Sequence, residues 1–365
     1  MIKLDGAYGS GGGALVRTAL ALSTLTGKPF SVDKIRAGKG DKGGLKPQHL
    51  HAIKTLKEIC GAKTSEVELG TKEFWYHPGK IKRGVYEVDI GTAGSITLFL
   101  QAIILPCLFA PGKVTLKIKG GTCGKWQASV YYLQNILLPH LQRLVEKIEL
   151  KVIKKGYYPK GGGEVHLMIN PRFKLNDYDN FAQFYEDLNF RTAKIKLVSQ
   201  GELEQIRGIV NLSSELEDKE IGERIKKSAE NLLRDYKVPM NLRVEYANTL
   251  SIGGEIVLWG IFSLGGKVDF DNPVILGGDA LVEKGKLSEV IGKEAAEMLK
   301  KEISSDTAVD RNLADQLIQF MALLPNSEIL TREISNHTKT NIYVTEHFLE
   351  VGFKIEGNKV IVEEK

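Results

Sequence analysis

Ile2–Thr26 reads IKLDGAYGSGGGALVRTALALSTLT. Ile2 to Leu4 has strand character, Asp5 to Gly13 holds five glycines in nine positions, and the apolar run from Ala14 predicts a helix that Gly27 and Pro29 stop. So many glycines mark a backbone that takes unusual angles or lies close against something. The same order then returns. Tyr86 to Ile90 reads as a strand, Gly91 to Gly94 as a small-residue turn and Ser95 to Phe109 as a helix. Gly9 and Gly91 stand 82 positions apart, and Gln48 and Gln127 stand 79 apart. A βαβαββ repeat of about eighty residues therefore organises the first half of the chain.

Working outward, the first unit continues with a strand at Phe30 to Ile35 and a loop carrying Lys34, Arg36, Lys39, Lys42 and Lys46 among four glycines. A glycine-rich basic loop can wrap an anion with side chains and backbone amides, although a solvated lysine-rich loop has the same composition. Helix Gln48 to Cys60 and two short strands close the unit. The second unit holds a helix at Gln127 to Val145 and a hairpin, GYYPKGGGE at Gly156 to Glu164, richer in glycine than a hairpin requires. Pro171 to Phe190 reads as a connector. Strands near Ala193 to Val198 and Gly208 to Leu212, an amphipathic helix over Glu215 to Tyr236, and strands at Asn241 to Ala247 and Glu255 to Phe262 then form a unit of different pattern. Beyond it, helices at Leu287 to Ile303 and Asp310 to Leu324, a strand from Ser327, a helix from Thr338 and two final strands rebuild the repeat. The predicted fold is α/β (α+β): a large domain of three βαβαββ repeats over 1–190 and 276–365, interrupted by a smaller α/β domain at 191–275.

The 365 residues are 42% hydrophobic, enough for two cores. The longest apolar run, Ile96 to Phe109, is broken by Gln101 and Pro106 and falls short of the ~20 residues that span a bilayer, so no membrane association is expected. No secretory h-region follows Met1, and three cysteines without a CxxC pair speak against a disulfide framework or a zinc site. A reducing cytoplasm is the expected setting. The net charge of +5 permits a nucleic-acid partner without requiring one.

The chemistry concentrates at SNHTKTNIYVTEHF, Ser335 to Phe348, where Ser335 or Asn336 is the expected N-cap and His337 lies in the first turn. A helix start attracts phosphate and disfavours an imidazolium, which suits a neutral histidine attacking phosphorus. Read alone, the segment also describes a surface histidine. Arg17 lies in the first turn of its own predicted helix, where a cation is repelled unless it shares an anion with the helix end.

Taken together, DGAYGSGGG, RAGKGDKGGLKPQHL (Arg36 to Leu50), IGTAGS with Gln101, GYYPKGGGE, LADQL (Leu313 to Leu317) and SNHTKTNI resemble the RNA 3′-terminal phosphate cyclases over nearly the full length. The resemblance implies an ATP-dependent, ligase-type enzyme. A histidine matching His337 attacks the α-phosphorus of ATP and becomes adenylated; AMP passes to an RNA 3′-phosphate, and the vicinal 2′-hydroxyl displaces it to leave a 2′,3′-cyclic phosphate. It further implies ATP contacts from Gln101, Asn312, Leu313, Ala314, Asp315 and Gln316, contacts to the RNA end from Arg17, Arg36, Lys39 and Gln48, and a divalent metal, magnesium or manganese, on the triphosphate. A homodimer is compatible with it.

Four positions depart from the family pattern: Lys39 stands where arginine is usual, Ser10 where bacterial-type members have a glutamate thought to help hold the metal, Asn312 where tyrosine is common, and TCGKWQAS (Thr122 to Ser129) lacks the usual Asp and prolines, leaving Trp126 as an apolar wall. The alternatives are a non-catalytic cyclase-like protein of ribosomal RNA processing, whose branch lacks the histidine, and an enolpyruvyl transferase built on the same repeat.

Overall fold

The computed structural model describes residues 1–9 and 11–365, without the side chains of Lys39, Asp41 and Lys42. The first repeat comprises β1 (Ile2–Asp5), α1 (Ala14–Thr26), β2 (Phe30–Asp33), α2 (Pro47–Cys60), β3 (Lys63–Thr64) and β4 (Phe74–His77). The second comprises β5 (Gly84–Asp89), α3 (Ile96–Cys107), β6 (Val114–Gly120), α4 (Val130–Tyr132), α5 (Leu138–Leu141), β7 (Val145–Lys154) and β8 (Gly163–Pro171). In each, the first two strands are parallel neighbours, the last strand lies antiparallel to the second, and the third takes the edge beside the last. The parallel pair follows from a crossover helix between its strands, and the antiparallel strands come from the short return that ends the unit.

After α6 (Phe181–Arg191), the chain lays down β9 (Lys196–Leu197) and leaves the repeat. It then builds β10 (Glu202–Ser213), α7 (Ile221–Leu233), β11 (Met240–Ala247), β12 (Gly254–Ser263), β13 (Ile275–Leu281) and α8 (Ser288–Ile303). It returns with α9 (Arg311–Met321), β14 (Glu328–Leu330), α10 (Asn336–Phe348), β15 (Val351–Glu356) and β16 (Lys359–Glu364). The pairs β9 with β14, β14 with β16 and β16 with β15 repeat the pattern of the first two units, so the split third repeat is observed.

Three sequence expectations need correction. Residues 276–303 were assigned to the large domain, yet β13 hydrogen-bonds along β12 and α8 packs on α7 and β13, so both elements belong with the inserted sheet. The helix expected over Gln127 to Val145 is shorter and unevenly wound: it runs without a break from Val130 through a π turn at Leu133–Leu137 and α5 to a 3₁₀ turn at Gln142–Leu144, and β7 already begins at Val145. The connector contains α6, whose polar surface hides Phe184 and Leu188, four apart and fully buried.

The glycine-rich hairpin also finds its reason. Gly161, at φ +70°, lies directly against the Thr92 carbonyl, so the β7–β8 turn presses onto the turn after β5 and leaves no room for a Cβ. Among the described residues, no helix is long and apolar enough to cross a membrane, and Cys60, Cys107 and Cys123 are buried free thiols.

The insert meets the second repeat around Glu255. This residue is 1% exposed, opposite Asn211 in the β10–β12 register, with the Ser129 hydroxyl nearby favouring its charged form. Burial pushes its pKa up to about 8, against 4.5 for an ordinary glutamate. Between these values the native state keeps a proton that the unfolded chain has lost, so the contribution to stability is fully present below about pH 4.5 and is lost as pH rises through 8. His49 and His140, held neutral by burial, act in the opposite sense at acid pH, so the comparison must be with a neutral isostere. Glu255→Gln should stabilise the protein by a few kcal/mol, to order of magnitude, at pH 8 and by almost nothing near pH 5, measured by denaturant unfolding. Parallel pH profiles for the two proteins would refute this.

Candidate active site

A cavity of about 560 Å³ opens between the repeats and the insert. Its walls come from α1 (Arg17, Thr18), α3 (Gln101), the loop before α4 (Lys125, Trp126, Gln127), β13 (Asp279), α9 (Asn312, Asp315, Gln316, Gln319) and α10 (His337, Asn341).

The floor is a hydrogen-bonded frame. Ser335 is the N-cap of α10: its hydroxyl accepts from the backbone N–H groups of His337 and Thr338, both at 3.0 Å. The same hydroxyl donates to Oδ1 of Asp315 at 2.5 Å, and the Thr338 hydroxyl donates to that oxygen at 2.6 Å. The Asn341 amide donates to the Asp315 carbonyl and accepts from the Thr18 hydroxyl at 2.9 Å, which ties α9, α10 and α1 together. Burial raises the Asp315 pKa, while the two hydroxyls and His337 favour its charged form. The sequence reading gave the first turn of α10 a positive field alone. The structure sets a carboxylate against it.

Beside this frame lies a cluster of donors. Arg17 is 8% exposed; its Nε donates to Oε1 of Gln101 at 2.8 Å, and Nη1 approaches Nε2 of His49 at 3.4 Å. Nδ1 of His49 accepts from the Lys46 backbone N–H at 3.0 Å, so the neutral ring carries its hydrogen on Nε2 and sets donor against donor. Burial pushes the Arg17 guanidinium down to about 10, with Arg36 adding to the effect, and burial plus the charges of Arg17, Arg36 and Lys46 holds His49 well below the usual histidine range. Among the described residues no carboxylate pairs with Arg17. A buried arginine with no carboxylate partner, set among other donors, makes a site for an anion. Gly13 is required here, since a Cβ would run into the His49 ring and come within 2.8 Å of Arg17 Nη1.

The structure brings Arg17, Gln101, Asn312, Asp315, Gln316 and His337 together around one cavity. Leu313 and Ala314 point the other way into the core, both 0% exposed, because a helix turns 312, 315, 316 and 319 to one face and 313, 314 and 317 to the other. Arg36 is half-buried in a left-handed conformation (φ 56°), close enough to perturb Arg17 and His49. Gln48 is half-buried in the first turn of α2, next to His49. The Lys39 side chain and Ser10 lie outside the described residues. Sequence reasoning missed His49, Asp279, Thr18 and Asn341. His49 had a signal: it occupies the first turn of its repeat's second helix, as His337 does in the third repeat.

The chain matches the family model described as RNA 3′-terminal phosphate cyclase over residues 8–355. It is 39% identical over 363 residues to a protein of Archaeoglobus fulgidus named RNA 3′-terminal phosphate cyclase, covering 99% of this chain and 100% of that one. A Methanosarcina acetivorans protein of the same name is 40% identical over 371 residues, covering 100% of this chain and 99% of its own. One from Pyrococcus abyssi is 37% identical over 357 residues, covering 98% and 96%.

Arg17→Met tests the anion site apart from the fold. A buried cation without an acid contributes little to stability, so unfolding should change by no more than about 1 kcal/mol. Pyrophosphate binding, followed by calorimetry, should weaken at least ~10-fold. Unaltered affinity would remove Arg17 from the site.

Proposed function

We propose how a chain that belongs to the RNA 3′-terminal phosphate cyclase family uses this cavity. His337 is the nucleophile toward the α-phosphorus of ATP. A P–N bond forms as the bond to the bridging oxygen breaks and pyrophosphate leaves. The observation that carries the reading is the frame beneath it: Asp315, Ser335 and Thr338 fix the first turn of α10, and His337 faces the cavity from that turn. Arg17, with Gln101 and His49 around it, supplies the donors that hold phosphate oxygens and neutralise the charge that builds up during displacement. Asn312 and Gln316 line the ATP side.

AMP then passes from His337 to an RNA 3′-phosphate, which turns a poor electrophile into one with a leaving group. The adjacent 2′-hydroxyl attacks the 3′ phosphorus, AMP departs and a 2′,3′-cyclic phosphate remains. Each step is an in-line displacement, so positioning and charge neutralisation matter more than proton transfer. Arg36, Lys39 and Gln48 are assigned to the RNA end. The half-buried, left-handed Arg36 supports that reading, as its strain is of the kind kept for binding.

A divalent ion would neutralise the triphosphate, but the described residues contain no group of three or more His, Cys, Asp or Glu able to hold one. Those residues by themselves do not make a metal site, and no step here runs through the ion. The large domain of three repeats with its insert, action in the cytoplasm and a homodimeric assembly belong to the same reading; the cytoplasmic setting is supported by three cysteines kept as free thiols.

ATP labelled at the α-phosphate should leave an acid-labile, alkali-stable adduct on the protein, and His337→Ala should abolish it. Label retained by that variant would overturn the assignment. Cyclisation of a 3′-phosphate RNA should weaken with salt, and Arg36→Ala should lower the logarithmic salt slope by about one phosphate contact.

A further inference from the structure

The cavity is chemically lopsided. Arg17, its neighbour His49 and the start of α10 gather donors and positive charge on one side, whereas the other two cations on the lining, Lys125 and Arg311, are each paired with a carboxylate, Glu283 and Glu333. Asp279 lies elsewhere on the wall, on β13 among Ala280, Leu281, Met298 and Leu133. It shares a strand face with Gly277, whose missing Cβ would meet Tyr132 and Ile136, so Asp279 looks toward the same π-turn segment.

No described residue donates a hydrogen bond to the Asp279 carboxylate. Burial pushes its pKa up to about 6. It is therefore mostly an anion at neutral pH. Two further acceptors share the wall: the side-chain oxygens of Gln127 and Gln319 are buried without a donor, and Gln319 is 9% exposed overall.

A phosphate would be repelled from such a place, and a hydrophobic group would leave all three oxygens unpaired. A flat ring bearing N–H donors satisfies both the apolar walls and the oxygens. The other carboxylate on the wall, Asp315, already takes two hydroxyl hydrogens.

We infer that Asp279 is a specificity-determining residue, accepting a hydrogen bond from the exocyclic amino group of the nucleotide base, the 6-amino group of adenine. This rests on the ATP reading above. Gln127 and Gln319 can turn their amides to present either group, so they orient the ring without discriminating. The carboxylate cannot donate, and a 6-oxo purine meets it oxygen to oxygen.

The test measures binding by calorimetry in a His337→Ala background, which prevents consumption of the nucleotide. The ligands are ATP, purine riboside triphosphate, inosine triphosphate, and the 2′-deoxy and 3′-deoxy forms of ATP. With Asp279 present, loss of the 6-amino group should weaken binding about 10- to 100-fold; with Asp279→Ala the same loss should cost less than about threefold. Asp279→Asn keeps the volume and adds a donor, and should move the ATP-to-inosine-triphosphate preference at least ~10-fold toward the 6-oxo base. Equal losses in both backgrounds, an unmoved preference in Asp279→Asn, or coupling to a ribose hydroxyl instead of the amino group would overturn the assignment. A parent protein that binds none of the triphosphates would instead sink the ATP reading.

Discussion

One carboxylate oxygen, Oδ1 of Asp315, takes hydrogens from two hydroxyls on a neighbouring helix, and the arrangement of the cavity depends on that contact. The Ser335 hydroxyl has a single hydrogen. Giving it to Asp315 leaves its lone pairs for the N–H groups of His337 and Thr338, so capping the helix and joining two helices are the same act. Removing the carboxylate would strand both hydroxyls and loosen the turn that presents His337. Through Asn341 and Thr18 the same frame reaches α1, which carries Arg17.

The three repeats contribute in a regular way. Their first helices supply Arg17, Gln101 and Asp315; the second helices of the first and third repeats supply His49 and His337 from their opening turns. Convergence of helix starts favours negative charge at the centre even before a side chain is counted. The Arg17 guanidinium carries that bias further: a buried cation with no carboxylate partner among the described residues raises the free energy of the empty protein. An anion relieves it. On the proposed reading, stability and binding are thus opposed at Arg17.

Much of this was legible in the sequence, for identifiable reasons. The repeats announced themselves through glycine turns at a fixed interval, because close backbone contacts such as Gly161 against Thr92 tolerate nothing larger. The fold class and the split third repeat followed from the same spacing. What escaped was tertiary. An amphipathic pattern shows that α8 has an apolar face, with Ala295, Ala296 and Leu299 buried, but not which sheet receives it. The LADQL motif lies on a helix that lines the cavity, yet only the helical turn separates Asp315 and Gln316, on the cavity, from Leu313 and Ala314, in the core. His49 was passed over for its neighbour Gln48 because its role comes from Arg17, thirty-two positions away. Asp279 stood in plain view as the one charge in ILGGDAL, meaningless until the opposite wall was known.

The pairing of β9 with β14 joins residues 132 positions apart, such as Lys196 and Glu328, with the whole insert between them. Sheets of the first two repeats can zip up while the chain is still emerging from the ribosome, but the third must wait until the insert has been made and its two flanks can meet. His337 lies beyond that last closure. A half-synthesised chain can therefore already display Arg17 and Gln101 while the cavity still lacks the wall that α9 and α10 supply, so the order of synthesis itself delays completion of the cavity.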